Sequence, residues 1–162
     1  MNHPPDNILD RLIAERFAEL HARAARAELF EWRREPEGRL AEILVLDQFS
    51  RNMYRGSALA FANDALALAL AQEAVAAGAD LALPQARRLF VYMPYMHSES
   101  RAIHQVAEPL FRERAAQDNY EFELRHKAII DRFGRYPHRN EALGRNSTPE
   151  ELAFLAQPGS RF

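Results

Sequence analysis

Apolar residues recur at helical spacing along nearly the whole chain. Ile8, Leu9, Leu12, Ile13, Phe17 and Leu20 fall three or four positions apart and predict a first helix, with Asp6 as its N-cap. A second helical stretch runs from about His21 to Arg34 with Ala24, Ala25, Leu29 and Trp32, and Pro36 and Gly38 punctuate it. Leu40, Ile43, Leu44, Leu46 and Phe49 predict a helix over roughly Arg39 to Tyr54, ended by Gly56 and Ser57. An Ala-rich helix from about Leu59 to Ala77 closes at Gly78, and its small side chains let neighbouring helices approach closely. The next covers Pro84 to about Tyr95, where Pro94 is expected to end or kink it. Ser98 is expected to cap a helix carrying Ile103, Val106, Leu110 and Phe111, bent at Pro109. Another helix spans about Asn119 to Phe133 and stops at Gly134. After a polar stretch, Thr148, Pro149 and Glu151 read as N-cap, first helical residue and capping-box acceptor of a short last helix. No segment alternates as a strand would. The pattern predicts an all-α fold of about seven to eight helices, packed as antiparallel hairpins in one domain over residues 1–162, with 1–5 disordered.

Composition removes several function classes. The 162 residues carry 21 basic and 23 acidic side chains, a net charge of −2, so no basic excess favours nucleic acid. The absence of cysteine excludes disulfides, thiol nucleophiles and cysteine-based metal sites. The start of the chain has no apolar signal core, and no apolar run is read as approaching the roughly 18–20 residues a membrane span needs. A cytoplasmic location without a membrane partner is therefore expected.

Candidate chemistry lies where polar residues interrupt an apolar stripe. Leu40, Leu44, Asp47 and Arg51 share one helical face that is apolar at its start and ionic at its end. Asp47 and Arg51 are four apart, the spacing of an ion pair, with Gln48 and Asn52 beside them. Asp64 interrupts the next helix in the same way and reads as a partner for Arg51 or Arg55. Tyr92, His97, Ser98 and Glu99 gather at the turn after Pro94, where free backbone N–H groups either hold an anion or are simply capped. Arg135, His138, Arg139 and Arg145 form a dense positive stretch, suited either to clamping a phosphate or carboxylate or to pinning the loop to acidic helix ends. His126, on the Phe122, Ile129 and Phe133 side of its helix, reads as a core histidine. No two histidines have helical metal-ligand spacing, no Gly-rich phosphate loop or nucleophile elbow is present, and no metal or cofactor is expected.

The segments Leu46-Asp47-Gln48-Phe49-Ser50-Arg51-Asn52, Tyr54-Arg55-Gly56 and Ala60-Phe61-Ala62-Asn63-Asp64 resemble the bacterial domain-of-unknown-function family 924. So do Pro94 to Glu99, Arg132 to Asn140, and Leu143-Gly144-Arg145 with Ser147-Thr148-Pro149-Glu150-Glu151. The resemblance covers most of the chain from about Phe17 onward. It implies an all-helical, tetratricopeptide-like fold and assigns no chemistry. Such proteins usually begin with an aromatic Asp-Phe-Trp-Phe-like segment, not found here ahead of the helix starting near Asp6. Apolar surface left near that helix is expected to be covered by a homodimer contact.

Two functions remain open at this point. In one, a pocket lined by Asp47, Gln48, Arg51, Asn52, His97, Glu99, Arg135, His138 and Arg139 binds a small anionic ligand, with His97 or His138 as acid or base. In the other, a tetratricopeptide-like module binds a peptide or protein, and the polar residues only hold the fold.

Overall fold

The computed structural model describes residues 7–162, and among these there are helices and turns but no strand. The predicted Asp6 cap and the expected disorder of 1–5 lie outside the described residues. Helix α1 (Ile8–Ala25) begins at Asn7, whose side chain accepts the Leu9 N–H at 3.0 Å. It stops where Ala27 turns left-handed at φ 57°. The stretch read as one helix from His21 to Arg34 is thus split: its start belongs to α1 and Phe30–Arg34 form a 3₁₀ turn. Gly38 is required beside that turn, because a Cβ there would meet the Trp32 carbonyl oxygen at 2.0 Å.

Helix α2 (Pro36–Leu44) runs without interruption through a π-helical turn (Val45–Phe49) into α3 (Ser50–Met53), making one rod. The Ala-rich stretch starts later than expected. Ser57 caps a separate 3₁₀ turn (Ala58–Phe61), and α4 covers Asp64–Ala76. Helix α5 (Gln85–Met96) continues past Pro94, since burial of Tyr95 and Met96 holds the last turn in place despite the missing N–H. The cap of α6 (Arg101–Arg114) is Ser100 rather than Ser98: Ser100 Oγ accepts the Ile103 N–H, while Ser98 Oγ accepts that of Ser100. Helix α7 (Gln117–Phe133) ends at Gly134, and α8 (Pro149–Leu155) opens with the predicted Thr148–Glu151 capping box. Counting the α2–α3 rod once gives seven helices among the described residues.

The connections α5–α6 and α6–α7 are short, so these helices form hairpins, and α4 packs on α5 beside the α2 rod. The core they share contains Ile43, Leu46, Ala67, Ala71, Val91, Tyr92, Ala107 and Phe111. Each fully buried aliphatic side chain such as Ile43 or Leu46 contributes about 1.5–3 kcal/mol. A smaller cluster of Ile129, Ile130 and Tyr136, with Phe133 and Phe154, ties α7 to α8. Against the expectation from the sequence, Ala58–Ala76 (19 residues, mean hydropathy 1.3) is long and apolar enough to cross a membrane by composition alone. It includes the 3₁₀ turn and Asp64, and its helix places Ala67, Leu70, Ala71 and Ala74 in the core.

Candidate functional site

The π-helical turn brings Asp47 inward, where its side chain is 1% exposed. An anion buried this deeply needs donors on both oxygens. Asp47 Oδ1 accepts from His97 Nδ1 at 2.7 Å and pairs ionically with Arg51 Nη1 at 3.1 Å, which donates to the Asp47 carbonyl, and Oδ2 accepts from Gln48 Nε2 at 2.6 Å. Burial pushes the carboxyl up, but His97, Arg51 and Gln48 outweigh it and hold Asp47 far below the ordinary carboxylate range. Asp47 is therefore an ionised acceptor. The same network assigns the Nδ1 proton to His97 and leaves a lone pair on Nε2. Burial holds His97 below its ordinary value; Asp47 opposes this, while Arg51 and Arg139 add to it.

Arg51 also forks onto Asp64, with contacts of 2.8 and 3.0 Å. The pairing predicted for Asp64 is thus with Arg51, whereas Arg55 pairs with the buried Asp10, which also accepts from Asn52. The Arg139 guanidinium carbon lies over the rings of Phe61 and Tyr136, 4.5 and 4.7 Å from their centroids. Arg139 donates from Nη2 to the His97 carbonyl at 2.9 Å and from Nη1 to Asp64 at 3.3 Å. One ionic network therefore joins the α2–α3 rod, the start of α4, the end of α5 and the loop after α7.

This network borders a cavity of about 570 Å³, within the size range of small-molecule sites. Arg51, Arg55, Arg139, His97, His126 and His138 line it, with Gln48, Asn52 and Asn119. The remaining wall is apolar and includes Phe61, Leu89, Met93, Met96 and Phe122, with Phe162 at its edge. Among the described residues no carboxylate lines it: Asp10, Asp47 and Asp64 pair with the arginines without lining the cavity themselves. Burial, with Arg139 adding, takes His138 down to about 4. Burial takes His126 down to about 3 even though its Nδ1 bonds the Phe122 carbonyl at 2.7 Å. Among the described residues no three histidine or acidic side chains are placed to share a metal ion.

Of the residues proposed from sequence, Gln48, Arg51, Asn52, His97, His138 and Arg139 face one cavity, and Asp47 supports it from behind. Arg135 and Glu99 do not line it. Arg135 forks onto Glu151 at 2.7 and 2.8 Å and donates to the Asn146 carbonyl, pinning α8 to the loop. Glu99 precedes α6 instead of opening it; it binds Arg145 at 2.8 and 2.9 Å and accepts the Tyr136 N–H. Those two residues fix the loop that carries His138 and Arg139. His126 is buried and hydrogen-bonded, as the sequence pattern implied, and it also lines the cavity. Its ring stacks on Phe162 at 4.0 Å between centroids. Nothing in the spacing signals this, because a cavity wall and a core have the same helical periodicity.

The chain is similar to a solved protein of unknown function, ATU0120 from Agrobacterium tumefaciens. The TM-score is 0.89 at 39% sequence identity, covering 96% of this chain and 88% of that one. No curated protein matches the sequence. The model of a family described as bacterial protein of unknown function (DUF924) matches residues 3–159, which is nearly the whole chain. This chain belongs to that family.

Proposed function

We propose that the cavity binds a small organic anion, a carboxylate or phosphate carrying an apolar tail. The observation that carries this reading is the asymmetry of its wall: among the described residues Arg51, Arg55 and Arg139 line the cavity, while the carboxylates that pair with them do not. An anionic head group meets donors there without meeting a like charge. The apolar wall of Phe61, Leu89, Met93, Met96 and Phe122 suits a short hydrocarbon or aromatic tail. Arg51, Arg55 and Arg139 are already charge-matched, so the attraction is a local field rather than a net charge, and moderate affinity follows. Convergence of the polar groups on one cavity favours this reading over a tetratricopeptide-like peptide-binding module.

Calorimetric titration with hexanoate, hexyl phosphate and hexanol tests the proposal. The two anions are expected to bind, more weakly as salt rises, and hexanol to bind less than either. Ala142 lines the cavity outside the ionic network, so Ala142→Trp should fill it and abolish binding with the fold intact. Equal binding of hexanol and hexanoate, or unchanged binding in Ala142→Trp, refutes the reading.

A further inference from the structure

Resting on the anion-binding reading above, we propose that the cavity is also a catalytic centre, in which His97 acts as general base for hydrolysis of small acyl esters. The product acid of such a reaction is the kind of apolar-tailed carboxylate that the cavity wall suits.

Four features of His97 support this role. Its ring is oriented from behind by an ionised, buried carboxylate, 2.7 Å from Nδ1. Its backbone is held on both sides: the N–H donates to the Met93 carbonyl at 2.9 Å, and its own carbonyl accepts from Arg139. Its Nε2 has no protein partner among the described residues, and the residue lines the cavity. A histidine fixed through Nδ1 by a carboxylate, with Nε2 exposed to a substrate volume, is the arrangement of a general base. His126 and His138 lack any such carboxylate: the Nδ1 of His126 bonds the Phe122 carbonyl instead. That separates His97 from His138, which the sequence alone left equivalent.

The step balances without a co-reactant other than water. His97 Nε2 takes a proton from a water molecule as the water oxygen bonds to the acyl carbon. The carbonyl π pair moves onto its oxygen, and the charge that develops faces the Arg51 and Arg139 side of the cavity. That pair then re-forms the carbonyl, and the ester C–O bond breaks with its electrons on the leaving oxygen. The His97 imidazolium, stabilised by Asp47, gives the proton to that oxygen. Asp47 is a positioning residue in this scheme and touches no reacting atom.

The test uses the full chain with 4-nitrophenyl hexanoate as substrate and hexanoate as product, following nitrophenolate release and, separately, hexanoate binding. The parent is expected to hydrolyse the ester above the buffer rate and to be inhibited by hexanoate. His97→Gln keeps a donor toward Asp47; it should bind hexanoate and show the same circular dichroism while losing about 100-fold in kcat. The charged and titratable groups facing His97 are Asp47 and Arg51 from the rod, Arg139 from the loop and His126 from α7. Removing the carboxylate charge in Asp47→Asn should lower kcat and move the acid limb of its pH profile to lower pH, which a merely structural defect does not do. Hexanoate binding without hydrolysis overturns the inference and leaves the binding reading intact. Hydrolysis unchanged in His97→Gln also overturns it. Failure of hexanoate to bind the parent overturns the binding reading and this inference with it.

Discussion

Replacing Asp47 by Ala removes the one carboxylate that Arg51, His97 and Gln48 share. Breaking a buried ion pair from one side costs about 3–5 kcal/mol when the remaining charge is left without a partner. Here Arg51 keeps its forked contact with Asp64, so the full penalty does not apply. What is lost is one ion pair and two hydrogen bonds to a charged group, each of the latter worth about 1.5–3 kcal/mol in isolation. Part of this returns as the amide of Gln48 finds other acceptors, and a loss of about 3 kcal/mol is expected. At about 2–4 °C per kcal/mol for a chain of this size, the melting temperature should fall by about 6–12 °C. Urea unfolding followed by circular dichroism, with scanning calorimetry beside it, measures both numbers. Nitrogen-detected NMR of His97 adds a local readout: the parent should show the Nδ1–H tautomer, and Asp47→Ala a mixture. A solvated surface pair costs under about 1 kcal/mol. A variant that melts within about 2 °C of the parent therefore refutes the buried network, and with it the assignment of the His97 proton.

Below pH 6.5 the unfolded chain protonates histidines that the folded cavity keeps neutral, so stability falls on acidification, by about 2 kcal/mol per residue at pH 5 for His126 and His138. Glu123, raised by burial, works in the opposite direction, so the check is a comparison: His126→Leu should flatten the loss between pH 7 and pH 5 measured by urea unfolding. Glu151 is held at about 2, chiefly by its hydrogen bonds from Arg135, so its contribution is present above the ordinary carboxylate range and lost as pH falls through 2. Arg135→Ala should loosen α8 and raise amide exchange there, while hexanoate affinity changes less than twofold. Arg139→Ala, by contrast, should lower both affinity and melting temperature, because the side chain is buried against two rings and bonded to His97. Ile8, Leu9 and Leu12 leave an exposed apolar strip on α1. Sedimentation is expected to show a concentration-dependent dimer that Leu12→Glu disrupts, and a parent monomeric at high concentration would refute it.

The helices were legible because each buries one face, and burial imposes a period of 3.6 that Leu40, Ile43 and Leu46 display directly. The Thr148–Glu151 box was legible because both of its hydrogen bonds are local. Pro94 does not end its helix, because the loss of one backbone bond is local, whereas the burial of Tyr95 and Met96 that outweighs it depends on other helices. The arginines after α7 read as one cluster by proximity in sequence. A loop that turns sharply sends them to separate partners: Arg135 to Glu151, Arg139 to Asp64 and His97, Arg145 to Glu99. The i, i+4 pairing of Asp47 with Arg51 was visible, but the third member, His97, arrives from fifty residues away and left no local trace. His126 is buried and hydrogen-bonded as its pattern implied, but that pattern separates buried from exposed, not core from cavity wall.

The wide turn at Val45–Phe49 makes the site depend on chain length as well as on residue type. A π-turn holds one more residue than an α-turn, so it amounts to a single-residue insertion in an otherwise regular rod. Each helical residue rotates the chain by about 100°. Deleting one residue from the turn would restore a regular helix, keep Arg51 and Asn52 near Asp64 and Asp10, and remove the wide turn that sets Asp47 against His97. The upstream face with Leu40 and Ile43 would still pack. A related chain one residue shorter here would therefore retain the helical stack and the arginine wall but lose the carboxylate behind His97. Within this fold, an alignment gap at Val45–Phe49 separates chains able to build the site from those that share only the scaffold.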